Sequence, residues 1–385
     1  MKYEIRTSIL ILILSLLFVT VILPSKRVQK ETKENFSSGN NQIFVSIASY
    51  RDRECDRTIH SIYRQAANPN NVYVGICQQN NEDEDKDCYE NLPSFVPKGN
   101  VSIMRLPHFD AKGPTHARYL CSKLWNNQEF YLQIDSHTQF LKDWDKNLIS
   151  CINECGGEKS VISYFPPAEY NNDDSLEKNG DDKPTEPPSN YNGKIPYTCD
   201  ARINDKGIVR ALSANPINPP KRCMRIPHLA AGMLFLNSNF LKTVPFDPWL
   251  PYVFEGEEML LSARLWTNGY NFYMPNENIC LHLYADNKDK NYKRPLYWED
   301  INGSAIEHLK RSAVQRVRYL LGRIKLEEVP MEVRPHLDKY GMGTERSLDE
   351  FYKFIGVDFE NNKVERYCDK MYDENKKEWV PINNN

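Results

Sequence analysis

One long apolar run, residues 9–23, stands at the start of the chain; from residue 42 onward the apolar segments are short and alternate with polar, helix-forming stretches. Residues 43–48 (IFVSIA), 72–77 (VYVGIC), 101–106 (VSIMRL) and 130–134 (FYLQI) are rich in β-branched and aromatic side chains, the pattern of strands buried on both faces. Residues 57–65 and 115–125 between them carry helical spacing. Strand, helix and strand in alternation predict an α/β domain on a largely parallel, Rossmann-like sheet, with ligands beyond the carboxyl ends of the strands.

The pattern continues through strand-like runs at 161–165, 229–236, 270–274 and 279–283. Residues 257–267 read as a helix with Met259, Ala263 and Trp266 on its apolar stripe and Gly269 just past its end. Residues 169–194, crowded with Asn, Asp, Pro and Gly, read as a long surface excursion. Near the end, 305–321 and 348–355 predict helices, the second capped by Ser347. The expected organisation is a membrane segment (1–24), a flexible stem (25–41), a main domain (42–300) and a helical C-terminal appendage (301–385).

The 9–23 run is uncharged and follows Lys2 and Arg6. A bilayer span takes about 20 apolar residues, so the run is short, and a cleaved signal peptide is the competing reading. No small-x-small cleavage site follows Leu23. Pro24, Ser25, Lys26 and Arg27 come instead, and the expectation is an uncleaved single-pass anchor in an ER, Golgi or viral–host membrane. The positive flank favours a cytoplasmic location for the rest of the chain, whereas sequons at Asn35, Asn100 and Asn302 favour the lumen, so the sequence leaves the side open.

Composition narrows the partners. Across 385 residues, 49 basic and 52 acidic side chains leave a net charge of -3. That balance offers no footprint for nucleic acid and directs attention to a polar small molecule or a protein. Ten cysteines fit either disulfides or buried thiols. Cys151 and Cys155 lack a second ligand pair at zinc spacing, so a disulfide or a free thiol is expected there.

Three segments carry chemistry. Asp135 and His137 lie two apart at a strand end, where an extended backbone sends both side chains from one face toward a common ion such as Mn2+. GPTHAR, residues 113–118, opens a helix whose backbone N–H groups and Arg118 can meet an anion. FEGEE, residues 254–258, sets three carboxylates beside Trp249, Tyr252 and Phe254, an arrangement suited to sugar rings and their hydroxyls, although acids in a first helical turn also answer to the helix dipole. His282, between Leu281 and Leu283, reads on its own as a core histidine.

Taken together, IFVSIASYRDRECDRTIHSIYRQA, GPTHAR, QIDSHTQF and FEGEEMLLSARLWTNGYNFYMP resemble the polypeptide N-acetylglucosaminyltransferases that modify hydroxyproline on a ubiquitin-ligase adaptor, and more distantly the mucin-type polypeptide N-acetylgalactosaminyltransferases. The resemblance runs from about residue 43 to 359. It implies a GT-A nucleotide-diphospho-sugar transferase fold, a UDP-sugar donor (UDP-N-acetylglucosamine first), Mn2+ or Mg2+, and retention at the anomeric carbon. By position it implies donor contacts from Ser49, Arg51, Asp52, Arg118 and Asp135, and a metal held by Asp135, His137 and His282. Glu257 and Glu258 become the candidate catalytic carboxylates. The acceptor would be a protein or glycan hydroxyl. The adaptor-modifying enzymes lack an anchor, which leaves acceptor and compartment open. Other UDP-sugars, a non-catalytic carbohydrate-binding protein on a degenerate fold and a metal-dependent hydrolase are the rivals; no H-E-x-x-H motif supports the last.

Overall fold

The structure is a computed structural model, and it describes residues 41–90, 92–169, 193–212, 216–284 and 293–382. The expected anchor and stem, and nearly all of the 169–194 excursion, lie outside the described residues. No helix among the described residues is long and apolar enough to cross a membrane.

An eight-stranded sheet organises the domain. Its strands are β1 (Ile43–Tyr50), β2 (Val72–Asn80), β3 (Val101–Pro107), β4 (Phe130–Asp135), β6 (Ser160–Ser163), β7 (Met224–Arg225), β8 (Met233–Asn237) and β9 (Asn271–Met274). They run in the order β7-β9-β6-β8-β4-β1-β2-β3. The half from β4 to β3 is parallel throughout; β1, β2 and β4 are buried as their apolar runs predict, but 101–106, expected to be buried on both faces, is the half-exposed edge strand β3. The other half is mixed, because β8 pairs antiparallel with both β4 and β6. A separate ribbon pairs β5 (Thr138–Phe140) antiparallel with β10 (Cys280–His282), directly beyond the end of β4.

Helix α1 (Cys55–Gln65) buries Cys55, Ile59, Ile62 and Tyr63, one face of a 3.6-residue period, and a disulfide from Cys55 to Cys88 ties its start to the loop after β2. Next come α2 (Pro114–Ser122), α3 (Trp144–Glu154) and α4 (Glu257–Thr267). The run 229–236 is strand only from Met233, because Ala230 to Gly232 form a turn whose Ala230 N–H and carbonyl both bond Ser163 Oγ. The C-terminal segment contributes α5 (Ser304–Leu320) and α6 (Leu348–Phe354), with Ser347 capping α6 as expected. It also forms two hairpins, Val357–Asp358 with Lys363–Val364 and Lys370–Asp373 with Glu378–Pro381, whose strands are too short to leave a periodic signal.

Among the contacts that fasten that segment to the sheet domain are a ring stack, a buried ion pair and a disulfide. Trp266 of α4 stacks on Phe354 at 4.5 Å between ring centroids. Arg316 makes a fully buried two-pronged pair with Asp247 at 2.8 and 3.2 Å. The disulfide is Cys199–Cys368. Cys155 is bridged to Cys223 rather than to Cys151, which remains a buried thiol. Of the sequons, Asn100 is buried with its amide bonded to the carbonyls of Asn70 and Val72, while Asn302 is exposed.

Candidate active site

Beyond the carboxyl end of β4 the chain turns through Ser136 and His137 into β5. Thr58 of α1 clamps this turn: its hydroxyl donates to the Ser136 carbonyl at 2.8 Å and accepts the Thr138 N–H at 3.0 Å. β10 closes the other side, with Leu283 N–H on the His137 carbonyl at 3.0 Å. The antiparallel register sets His282 opposite Thr138. Asp135, His137 and His282, separated by up to 147 residues, therefore present ligand atoms that all lie within 4.8 Å of one another. The imidazole rings are 4.6 Å apart, and His282 Nε2 lies 3.1 Å from Asp135 Oδ2.

Gly232 lies against this cluster. A Cβ there would stand 3.0 Å from Asp135 Oδ2, so any side chain at this turn would press on the carboxylate and have to shift it by a few tenths of an ångström.

Arg118 brings in the second group of carboxylates. Thr115 Oγ1 donates to the Leu250 carbonyl at 2.7 Å and Tyr252 N–H bonds the Lys112 carbonyl at 2.6 Å, so the start of α2 is seated on the 250–253 loop. Gly256, at φ 111°, then turns the chain into α4 with a left-handed conformation that a side chain would resist. Glu257 is thereby delivered to Arg118: one guanidinium nitrogen bonds Glu257 Oε1 and the other bonds Asp135 Oδ1 at 2.9 Å. Glu258 faces the Gly232 turn, its Oε1 accepting the Ala231 N–H at 2.9 Å.

Burial and charge oppose each other here. Burial would raise the Asp135 carboxyl, but the hydrogen bond from His282 and the charge of Arg118 outweigh it and hold the group well below the usual carboxylate range. Burial pushes His282 down, favouring the neutral imidazole that a metal requires. It also raises Glu257 in spite of Arg118, and lifts Glu258 to about 7.

The donor set fits a divalent ion. Two imidazoles and one carboxylate converge, and His282 Nδ1 is buried without a hydrogen-bond partner. Two nitrogen donors favour Mn2+ over Mg2+, which takes oxygen ligands.

The remaining sequence candidates do not supply ligand atoms to this cluster. Ser49 is fully buried, its hydroxyl 3.7 Å from Cys88 Sγ. Asp52 stands behind the ligands: its Oδ2 accepts from His137 Nδ1 and from Ser136 Oγ, each at 2.7 Å. Burial would raise Asp52, but His137 and Arg294 keep it well below the ordinary range. Arg51, at φ 48°, bonds Asp85 at 2.8 Å, Glu84 at 2.8 Å and Asp300 at 2.9 Å. Arg294 carries no signal in the sequence; it lies 157 residues from His137 in a polar stretch without periodicity, yet its Nη1 is 2.9 Å from His137 Nε2.

Comparison with known proteins points the same way. The model of a family described as Glycosyltransferase (GlcNAc) matches residues 42–96 and 91–361. No curated protein sequence matches. Among solved structures, GalNAc-T7 with UDP, GalNAc and Mn2+ superposes with a TM-score of 0.54 at 13% identity, over 81% of this chain and 56% of that one. The chain thus spans little more than half the length of that protein, and the likeness shows a shared GT-A type of fold. S. aureus TarS 1–349 with UDP-GlcNAc (13% identity, 83% and 89% coverage, TM-score 0.40) is more remote. So is the mannosyltransferase PcManGT from Pyrobaculum calidifontis with GDP-Man and Mn2+ (11%, 77% and 68%, 0.39).

Proposed function

Because the chain belongs to the glycosyltransferase (GlcNAc) family, we propose that it transfers N-acetylglucosamine from UDP-N-acetylglucosamine, with retention, to a hydroxyl of a protein or glycan acceptor. The convergence of Asp135, His137 and His282 on one point beside the Arg118–Glu257 pair carries this reading.

In the reaction the bond between C1 of the sugar and the diphosphate oxygen breaks, and the acceptor oxygen bonds C1 on the same face. The acceptor's proton passes to the departing phosphate oxygen, so no protein base is required. Asp135, His137 and His282 would hold Mn2+, which when bound offsets the negative charge growing on the leaving UDP. Arg118 adds a fixed cation at the same end, kept in place by Glu257 and Asp135 and therefore already oriented when charge develops. Glu257, with one oxygen on Arg118, is set to accept from a sugar hydroxyl and orient the ring. Phe254, three residues before Glu257 in the chain, and Trp298, both exposed and 5.2 Å apart at the ring centroids, form an aromatic shelf that suits an acceptor's apolar face.

We propose separately that residues 9–23 anchor the protein in a membrane, with the domain on an oxidising side. Support comes from the disulfides Cys55–Cys88, Cys155–Cys223 and Cys199–Cys368, which persist in secretory compartments and not in a reducing cytosol.

The test is to incubate the purified protein with Mn2+ and a panel of UDP-sugars and measure UDP release. Release from UDP-N-acetylglucosamine above the other donors is expected. Release from none of them would overturn the proposal in favour of a carbohydrate-binding protein on a degenerate transferase fold.

A further inference from the structure

His137 is held at both ring nitrogens. Asp52 accepts from Nδ1 at 2.7 Å, so Nδ1 carries the proton and Nε2 presents its lone pair. That lone pair is the one available to a metal, and it faces Arg294 Nη1 at 2.9 Å. The guanidinium is fixed from a second direction as well, Nη2 donating to the Leu283 carbonyl at 2.9 Å, next to His282. Its Nε is buried, 3.9 Å from Asp52 Oδ2, with no hydrogen-bond partner. The turn after Arg294 sets its reach. Tyr297 donates to the Tyr252 carbonyl at 3.0 Å, and Asp300 accepts from Tyr50 and Arg51, each at 2.9 Å.

We infer that Arg294 is a resident cation occupying the metal-facing side of His137, and that it must leave before Mn2+ can bind there. A guanidinium and a divalent ion cannot share one imidazole lone pair, and their like charges repel at such separations. The incoming diphosphate is an anion able to receive the displaced guanidinium, which makes metal and donor binding depend on each other. Arg294 is thus a positioning residue that couples the two ligands, and the inference rests on the transferase reading above.

The experiment measures Mn2+ affinity by calorimetry on chelator-stripped full-length protein, with and without UDP and without turnover. Arg294→Ala should bind Mn2+ alone about tenfold more tightly, as when a competent state populated about one part in ten becomes dominant. It should also lose most of the gain in Mn2+ affinity that UDP confers on the wild type. Arg294→Lys, which keeps a cation, should stay near the wild type. Should Arg294→Ala fold poorly, Arg294→Gln gives the same comparison. Unchanged or weaker Mn2+ binding in the neutral variants would overturn the inference and leave the transferase reading intact. If the wild type and both neutral variants bind no Mn2+ even with UDP, the metal reading fails, and this inference with it.

Discussion

Asp52→Asn isolates the support behind the metal ligands. The carboxylate accepts three donors: Oδ2 takes His137 Nδ1–H and Ser136 Oγ–H, each at 2.7 Å, and Oδ1 takes the Glu54 N–H at 3.0 Å. An asparagine can match one side only. If its oxygen stays on Glu54, its NH2 meets the His137 N–H; if it turns to His137, the NH2 meets the Glu54 N–H. Either way a buried donor is orphaned, at a cost of about 1–3 kcal/mol in stability. In the first case His137 also escapes the clash by moving its proton to Nε2, which removes the lone pair meant for the metal. Groups behind metal ligands typically matter about 10- to 100-fold in metal affinity. We therefore expect Mn2+ binding about 1.4–2.7 kcal/mol weaker in Asp52→Asn. Titration of stripped protein with Mn2+, run beside thermal melts, separates the two effects. A variant that melts early yet binds Mn2+ within twofold of the wild type would refute the reasoning. A selective loss of UDP affinity measured in chelator would instead restore Asp52 to the nucleotide side that the sequence resemblance implies.

Replacing His282 with Ala should raise the Mn2+ concentration needed for activity by at least about tenfold and weaken UDP binding only when metal is present; an early-melting variant with normal metal dependence would make it a core residue. Glu257→Gln should lower kcat by roughly 100-fold or more while leaving the UDP dissociation constant within a few-fold, because it acts on the reacting half of the donor; equal losses in a transfer assay and in calorimetry would return it to a helix-start role. His228 is buried and burial pushes its imidazole down to about 3. Its folded pKa lies below the unfolded value, so its contribution is complete above about pH 6.5 and is lost as pH falls toward 3, by up to about 5 kcal/mol. Denaturant unfolding across that window should show a smaller loss for His228→Gln than for the wild type, and identical slopes would contradict this assignment.

Much of the parallel half of the sheet was legible in the chain, because strands buried on both faces must be continuous apolar runs, as β1, β2 and β4 are. Helix α4 was legible to the residue, since its stripe and its flanking glycines lie within one local window. The closeness of the D-x-H pair was legible because two residues apart is local, but the extended backbone expected to aim both side chains was not found: the strand ends at Asp135, and His137 is aimed by the turn that Thr58 holds. The third ligand was not legible, because His282 has only apolar neighbours in sequence, and family resemblance rather than residue pattern suggested it. What joins it to Asp135, 147 residues away, is the pairing of β10 with β5. Asp52 and Arg294 show the same limit more strongly. Loop sequence says that a carboxylate and a guanidinium are present, but only packed backbone decides that one stands behind His137 and the other in front of it. Charge pairing between distant loops leaves no period in the sequence, whereas burial on a regular element does.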